Sequence, residues 1–462
     1  MKEELWKLLR QYQQHHGIGG IGIIRMSGKE CFEVLEKIFV PKNYKEIEKI
    51  PGYTMKYGHI VENGEIVDEV LVSYFKEPKS YTSENMCEIN SHGGIVILRK
   101  ILELCLSNGA VLAEPGEFTK RAFLNGRIDL LQAESVIDII NSKSEKEAKA
   151  SIKQLEGVLS KKIKEIKQLI MDEMVNVEVS IDYPEYDVED VTNKQLLVML
   201  DKVRGLLSKL EKSFDDGKLL REGIKTAIIG RPNAGKSSLL NSILKEDRAI
   251  VTEFEGTTRD TIEEFVTISG IPLKLIDTAG IRKNAKDEVE KIGIAKSKEI
   301  ASEADLVIAI FDASKELTEE DIQILDIIKN KKSIIILNKI DLDVKLDEND
   351  ERLTNVSSNI VKISALNSMG IENIYKVIEN MFNFNDINVD NEVMITNLRQ
   401  KNLISQAIEQ VDKAKETIQS GMPLDIVSIF IREILEDLSK ITGEVVTDDI
   451  IDEIFSKFCL GK

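Results

Sequence analysis

Apolar positions change their period several times along the 462 residues. Up to about residue 120 they fall in short runs of mixed α/β character. Gly17-Ile18-Gly19-Gly20-Ile21-Gly22-Ile23-Ile24-Arg25 is a glycine-rich turn running into an apolar strand. Val67 to Phe75 and Met86 to Ile89 are strand-like, His92-Gly93-Gly94 opens a helical segment through Leu104, and Trp6 to His16 reads as helical. From 121 to 215 glycine becomes sparse and apolar residues recur at spacings of three and four. That spacing predicts long helices over Leu131–Lys143, Ala148–Glu178 and Lys194–Phe214, interrupted at Asp182-Tyr183-Pro184-Glu185. Between 216 and 384, short apolar runs alternate with helix-length segments: Thr226–Ile229, Leu273–Ile276, Leu306–Phe311 and Ser333–Leu337. This alternation predicts a mostly parallel sheet covered by helices. From 385 to 462 the chain is helical again, with a last helix over Asp448 to Phe458. The expected fold is therefore multidomain, α/β plus all-α: an N-terminal α/β domain over 1–120, a discontinuous helical domain over 121–215 and 385–462, and an α/β domain inserted at 216–384. The acidic stretch Asp341 to Glu351 is expected to be an exposed loop.

Composition narrows the function classes. Apolar residues make up 42% and charged residues 31%, as in globular proteins. No run reaches the roughly 18 uninterrupted apolar residues of a membrane span. Met1-Lys2-Glu3-Glu4 lacks the basic-then-apolar order of a signal peptide, so the cytoplasm is the expected compartment. Cys31, Cys87, Cys105 and Cys459 have no zinc-like or redox-motif spacing. A net charge of −18 argues against non-specific coating of nucleic acid, which needs clustered cations. Lys161-Lys162-Ile163-Lys164 is one local basic stretch, read first as a solvated helix face.

The inserted segment carries a phosphate-binding pattern. Gly230-Arg231-Pro232-Asn233-Ala234-Gly235-Lys236-Ser237 fits G-x-x-x-x-G-K-[ST], after one predicted strand and before the helical run Ser238 to Leu244. Glycines let backbone N–H groups close around phosphates, and a helix N-terminus adds favourable partial charge. Lys236 would neutralise the β and γ phosphates, and Ser237 would bind Mg²⁺. Asp277-Thr278-Ala279-Gly280 follows the next strand, where the aspartate can hold Mg²⁺ through water and the glycine N–H can sense the γ-phosphate. Asn338-Lys339-Ile340-Asp341 follows another strand. The Asp341 carboxylate can accept from guanine N1–H and the 2-amino group, a donor pair that adenine lacks. Ser364-Ala365-Leu366 follows Val361–Ile363 and can support the base. Four motifs in this order point to GTP. In Ras-like GTPases a glutamine after D-x-x-G positions the attacking water; here that position is Ile281, so catalytic help must come from elsewhere.

Further segments make the chain similar to the MnmE (TrmE) family of tRNA-modification GTPases over nearly its whole length. They are Tyr81-Thr82-Ser83-Glu84, Ser91-His92-Gly93-Gly94, Pro115-Gly116-Glu117-Phe118-Thr119-Lys120-Arg121-Ala122-Phe123-Leu124-Asn125, Gly256-Thr257-Thr258-Arg259-Asp260, Asp287-Glu288-Val289-Glu290 and the terminal Cys459-Leu460-Gly461-Lys462. The resemblance implies a K⁺-assisted mechanism. Asn233, Thr252, Phe254 (through its carbonyl) and Thr257 match the K⁺ ligands, within a GTP-binding stretch that also holds Glu253, Glu255 and Gly256. A cation there would offset developing charge. Thr258 matches the second Mg²⁺-binding hydroxyl, and Glu290 the water-orienting glutamate, once one extra residue is allowed in its loop. The resemblance further implies a homodimer whose G domains pair during turnover.

For the N-terminal domain the resemblance implies binding of 5-formyl-tetrahydrofolate or a related tetrahydrofolate. Arg25, Glu88 and Lys462 match folate-binding positions, and Arg127 stands where the family has lysine, keeping charge but changing geometry. Cys459 matches a cysteine implicated in the modification chemistry. Trp6 to His16 departs from the family's short first strand and Thr-Pro turn. The implied function is GTP- and K⁺-dependent modification at C5 of the wobble uridine of certain tRNAs, with the flavoprotein MnmG (GidA) in a heterotetramer. Two rivals share some of these features. One is a ribosome-assembly or signalling GTPase switch, which folate binding would exclude. The other is a folate enzyme with a regulatory G domain, which loss of wobble-uridine modification on gene deletion would exclude.

Overall fold

The computed structural model describes residues 7–11, 19–43, 49–182, 189–245, 253–255, 262–276, 290–382 and 393–458. Two compact units make up the chain. Met1–Ile137, Gln154–Lys167 and Leu435–Lys462 form the first, and Asp138–Lys153 with Gln168–Ile434 the second. In chain order the helices are α1 (Cys31–Ile38), α2 (Ile95–Ser107), α3 (Glu117–Leu124), α4 (Leu130–Ile140), α5 (Glu145–Leu155), α6 (Val158–Asp182), α7 (Glu189–Glu222) and α8 (Lys236–Lys245). They continue as α9 (Glu290–Glu303), α10 (Glu319–Ile328), α11 (Glu351–Thr354), α12 (Ile371–Met381), α13 (Leu398–Gln419), α14 (Leu424–Thr442) and α15 (Asp448–Ser456). No helix among the described residues is long and apolar enough to cross a membrane.

The first unit holds a sheet of β1 (Lys7–Gln11), β2 (Ile21–Ser27), β3 (Phe39–Pro41), β4 (Thr54–Glu62), β5 (Glu65–Phe75), β6 (Met86–His92) and β7 (Val111–Leu112). The order is β3-β4-β5-β6-β2-β1-β7, antiparallel except where β1 meets β7. Along β5, Asp68, Val70, Val72 and Tyr74 are buried and their neighbours are not, the two-residue period of a strand with one covered face. Leu35 and Ile38 of α1 and Leu98 and Ile101 of α2 cover that face. A second core joins Ala122, Ile128, Ala133, Val136, Ile451, Phe455 and Phe458. Gly116 is needed there. Its φ is +71°, and a Cβ would lie 2.8 Å from the Phe455 carbonyl oxygen.

Two expectations are corrected in this unit. Lys7–Gln11 is a strand, not part of a helix. It pairs antiparallel with β2 from Lys7↔Ser27 to Gln11↔Ile23 and parallel with β7. Partners on both edges outweigh local helical preference. Trp6 and residues 12–16 lie outside the described residues. Ala148–Glu178 is two helices, α5 and α6. Gly157, at φ +82°, ends the first; its N–H donates to the Gln154 carbonyl at 2.9 Å, and Gln132 Nε2 donates to the Leu155 carbonyl at 2.7 Å.

The second unit contains β8 (Ile224–Gly230), β9 (Glu253–Glu255), β10 (Ile262–Ile268), β11 (Ile271–Ile276), β12 (Leu306–Asp312), β13 (Ser333–Asn338) and β14 (Ile360–Ile363). The order is β14-β13-β12-β8-β11-β10-β9. The first five run parallel, and β10 and β9 are antiparallel. Buried cores lie on both faces, as continuous apolar runs such as Ser333–Leu337 require. On α7, Leu196, Leu200, Val203, Leu207, Leu210 and Phe214 are buried at alternating spacings of four and three. Ile404, Ala407, Val411, Ala414 and Ile418 of α13 repeat the pattern. The helices are also joined by Arg204–Asp412 at 2.6 Å and Lys415–Asp201 at 2.5 Å. Asp341 to Asp350 is exposed apart from buried Leu346 and half-buried Asp350.

Candidate nucleotide site and a polar cluster in the first unit

The five parallel strands share a carboxyl edge, the place where α/β sheets bind ligands. There β8 ends at Gly230, β11 at Ile276, β13 at Asn338 and β14 at Ile363. Each of the four sequence motifs starts at one of these ends.

The loop from Gly230 to Lys236 has the shape its residues predict. Asn233 stands at φ +62° and Gly235 at φ +108°. A Cβ on Gly235 would lie 2.0 Å from Asn338 Nδ2, and one on Gly230 2.6 Å from the Ile310 carbonyl oxygen. Only glycine fits either position. Lys236 Nζ donates to the carbonyls of Gly230 at 2.7 Å and Arg231 at 2.8 Å. Burial lowers the pKa of this ammonium. Arg231 binds Glu320 at 2.7 Å and Asp321 at 3.3 Å. Ala234 is buried, Ser237 is half-buried at the start of α8, and Ser238 is exposed.

Asn338 is the keystone of the base side. Its Nδ2 donates to the Ala234 carbonyl at 2.8 Å, and its Oδ1 accepts the Ala365 N–H at 3.0 Å. One buried amide therefore ties the phosphate loop to the Ser364–Leu366 loop. Ser242 Oγ of α8 donates to the Ala365 carbonyl at 2.6 Å, reinforcing the tie. Ser364 and Met369 exchange backbone hydrogen bonds, both 3.0 Å. Lys339, at φ +68°, reaches Asp312 Oδ2 at 2.6 Å. Burial opposes ionisation of Asp312, but hydrogen bonds from Lys339 and Ser314 outweigh it and hold the carboxyl below its usual range. Asp341 and Leu366 face solvent. Asp312 and Ser242 belong to no motif, and sequence reasoning missed them. The signal was the polar end of an otherwise apolar strand, Leu306–Asp312.

Thr252, Gly256, Thr257, Thr258, Asp277, Thr278, Ala279, Gly280, Ile281, Cys459 and Lys462 lie outside the described residues. Glu253, Phe254 and Glu255 form the edge strand β9, paired with β10 at Glu263↔Phe254, and Glu290 opens α9.

In the first unit, three of the four expected folate residues come together. Arg25 and Glu88 face each other across β2 and β6, and the guanidinium donates twice to Glu88 Oε1, at 2.8 and 2.6 Å. Arg25 also stands 5.5 Å from the centre of the Tyr81 ring, and Arg127 stands 4.5 Å from it. Tyr81 thus joins the two arginines, a role not read from its motif. The Tyr81 hydroxyl bonds Thr119 at 2.9 Å, and Asn125 Nδ2 donates to the Thr82 carbonyl at 2.7 Å. Arg121 bridges Glu84 at 3.1 Å and Glu117 at 3.0 Å. These bonds knit the Tyr81–Glu84 and Pro115–Asn125 segments into one polar cluster. Gly93 has a backbone role: a Cβ there would lie 2.1 Å from the Gly19 carbonyl oxygen.

Residues 13–127 match the family model described as GTP-binding protein TrmE N-terminus, and residues 130–459 the one described as MnmE helical domain. The chain is 49% identical to the tRNA modification GTPase MnmE of Acetivibrio thermocellus, over 97% of each chain. It is 49% identical to that of Clostridioides difficile, over 96% of this chain and 97% of the relative. For Lactobacillus delbrueckii the identity is 46%, over 96% of each. With both models matched and relatives aligned along almost their full length, the chain belongs to the MnmE family of tRNA modification GTPases.

Proposed function

We propose that this chain hydrolyses GTP with K⁺ and Mg²⁺ and, as a cytoplasmic homodimer working with the flavoprotein MnmG, modifies C5 of the wobble uridine in certain tRNAs. The one-carbon unit would come from a 5-formyl-tetrahydrofolate-type donor. The observation that carries the reading is the Asn338 brace between the phosphate loop and the base loop, in a chain of this family. Two features of the described loop support a phosphate ligand: Gly235, at φ +108°, takes a backbone conformation that side chains rarely adopt, and Lys236 is partly desolvated beside it. Lys236 would neutralise phosphate, Ser237 and Thr258 would hold Mg²⁺, and Asp341 would select guanine. Asn233, Thr252, Phe254 and Thr257 would hold K⁺, whose charge would offset the developing negative charge. Glu290 would orient water. The Arg25–Glu88–Tyr81–Arg127 cluster would offer cations and an aromatic face to a pterin glutamate, and Lys462 would add a further cation. Cys459 is reserved for the modification step.

The test is GTP turnover in KCl against NaCl at equal ionic strength, with Asn233→Ala alongside. K⁺-dependent turnover that is lost in the variant is expected. Equal rates in both salts would overturn the cation mechanism and favour a GTPase switch.

A further inference from the structure

β10 and β11 form a hairpin in register from Glu264↔Leu275 to Ile268↔Ile271. Its open end leads to the segments that bear on the γ-phosphate. β10 starts four residues after Thr258, and β11 stops one residue before Asp277. Its closed end is held by a short stretch of the helical sequence. Thr267 Oγ1 donates to the Lys143 carbonyl at 3.2 Å. Lys143 Nζ stands 4.1 Å from the centre of the buried Phe265 ring. At the turn, Gly270 has φ +83°, and a Cβ on it would lie 2.7 Å from Lys146 Cγ. Ala150 packs on the same core as Ile268 and Ile271.

The stretch that does this holding is a braced corner between α4 and α5. Ser144 Oγ accepts the Glu147 N–H at 3.2 Å, and Glu147 Oε2 accepts the Lys143 N–H at 2.7 Å, with both residues buried. Asp138 of α4 pairs with Arg221 of α7 at 2.9 Å. Just past α7, Gly223 packs on the hairpin itself; a Cβ there would lie 2.6 Å from the Pro272 carbonyl oxygen. The ends of three helices thus meet the hairpin. Close-packed contacts of this kind shift between discrete arrangements rather than yielding gradually.

We propose that the α4–α5 corner, residues 138–150, is the contact through which the β10–β11 hairpin passes displacement of the nucleotide-sensing segments to the helices. This rests on the GTPase reading. It assigns Lys143 and Thr267 a positioning role apart from nucleotide binding and chemistry. The hairpin acts as a lever whose open end responds to nucleotide, and whose closed end moves α4, α5 and α7.

Amide hydrogen exchange on the full-length protein tests this, comparing the nucleotide-free state with GDP plus aluminium fluoride, Mg²⁺ and KCl. Occupancy is followed separately with a fluorescent GDP analogue. Peptides covering 142–153 should change their exchange rate by about fivefold or more on binding, the low end of ordinary site-to-site coupling. K143M/T267V should lose that change while GDP affinity and GTP turnover stay as in the wild type. K143M alone, which keeps the backbone hydrogen bond, should lose part of it and serves if the double variant does not fold. Wild-type protein that binds nucleotide with no change in 142–153, or variants that keep the full change, would overturn the inference. Failure of the wild type to bind guanine nucleotide would overturn the GTPase reading and the inference with it.

Discussion

Asn338→Ala removes two hydrogen bonds that no other described side chain makes. The Ala234 carbonyl loses its donor at 2.8 Å, and the Ala365 N–H loses its acceptor at 3.0 Å. Both residues are buried, at 3% and 4% exposure. A buried polar group left without a partner costs about 1–3 kcal/mol, so the two together cost about 2–6 kcal/mol. The lower end applies if water enters beside Gly235, where the lost amide left room. The substitution also removes the direct tie between the phosphate loop and the base loop, leaving only the Ser242–Ala365 bond from α8, so more of their order must be established when nucleotide binds. At about 1.4 kcal/mol per decade, GDP affinity should fall at least tenfold. Titration with a fluorescent GDP analogue reads the affinity, and thermal unfolding with and without GDP reads the stability. GDP affinity within twofold of wild type, with an unchanged unfolding temperature, would refute the idea that this amide organises the site.

Two other substitutions test separate parts of the molecule. Asp341→Asn replaces the proposed acceptor for guanine N1–H and the 2-amino group; GTP affinity should fall about a hundredfold or more, with relative preference moving to xanthosine triphosphate, whose 2-oxo group accepts a hydrogen bond; competition binding measures both. Glu147, facing Lys143, Asp138 and Arg221, has its carboxyl pushed up by burial from 4.5 to about 7, against the hydrogen bond from the Lys143 N–H. Between those values the folded state keeps a proton that the unfolded chain releases, so this group's contribution is complete below pH 4.5 and declines as pH rises to about 7, by about 3 kcal/mol. Denaturant unfolding of Glu147→Gln across that range should lack this slope, and a wild-type slope in the variant would place the titration elsewhere.

The inserted α/β region was legible because its strands are buried on both faces and read as unbroken apolar runs, and because phosphate loops demand glycine at fixed positions. The second core of the first unit and the Asn338 brace were not legible. They depend on residues far apart in sequence, such as Phe123 with Phe455, or Ala234 with Asn338 and Ala365. Lys7–Gln11 read as helix because its neighbours in the sheet, β2 and β7, are invisible to local pattern. The break at Gly157 was hidden because apolar spacing continues through it, and a lone glycine in a helical pattern is ambiguous. Of the positions expected to bind folate, Arg25 and Glu88 could be paired only once β2 and β6 were known to be adjacent. Tyr81 was visible as part of a motif, but nothing local showed arginines beside its ring.

How an α/β domain can interrupt a helical one without unravelling it follows from the two junctions. The chain enters through the end of α7 and returns at Met394–Thr396 before α13. Gly217 of α7 lies so close to the return that a Cβ would sit 2.1 Å from the Ile395 carbonyl oxygen. The Ile395 N–H donates to Ser213 Oγ at 3.2 Å, and Arg221 donates to the Thr396 carbonyl at 3.5 Å. Entry and exit are therefore pinned together, and α7 and α13 pair as though the insertion were a loop. The same Arg221 also holds Asp138 at 2.9 Å. One guanidinium thus links the insertion's junction to the corner that grips the β10–β11 hairpin. An insertion fastened only at its junction could swing without consequence for the helices; one fastened also at the hairpin cannot displace that hairpin without loading α4, α5 and α7.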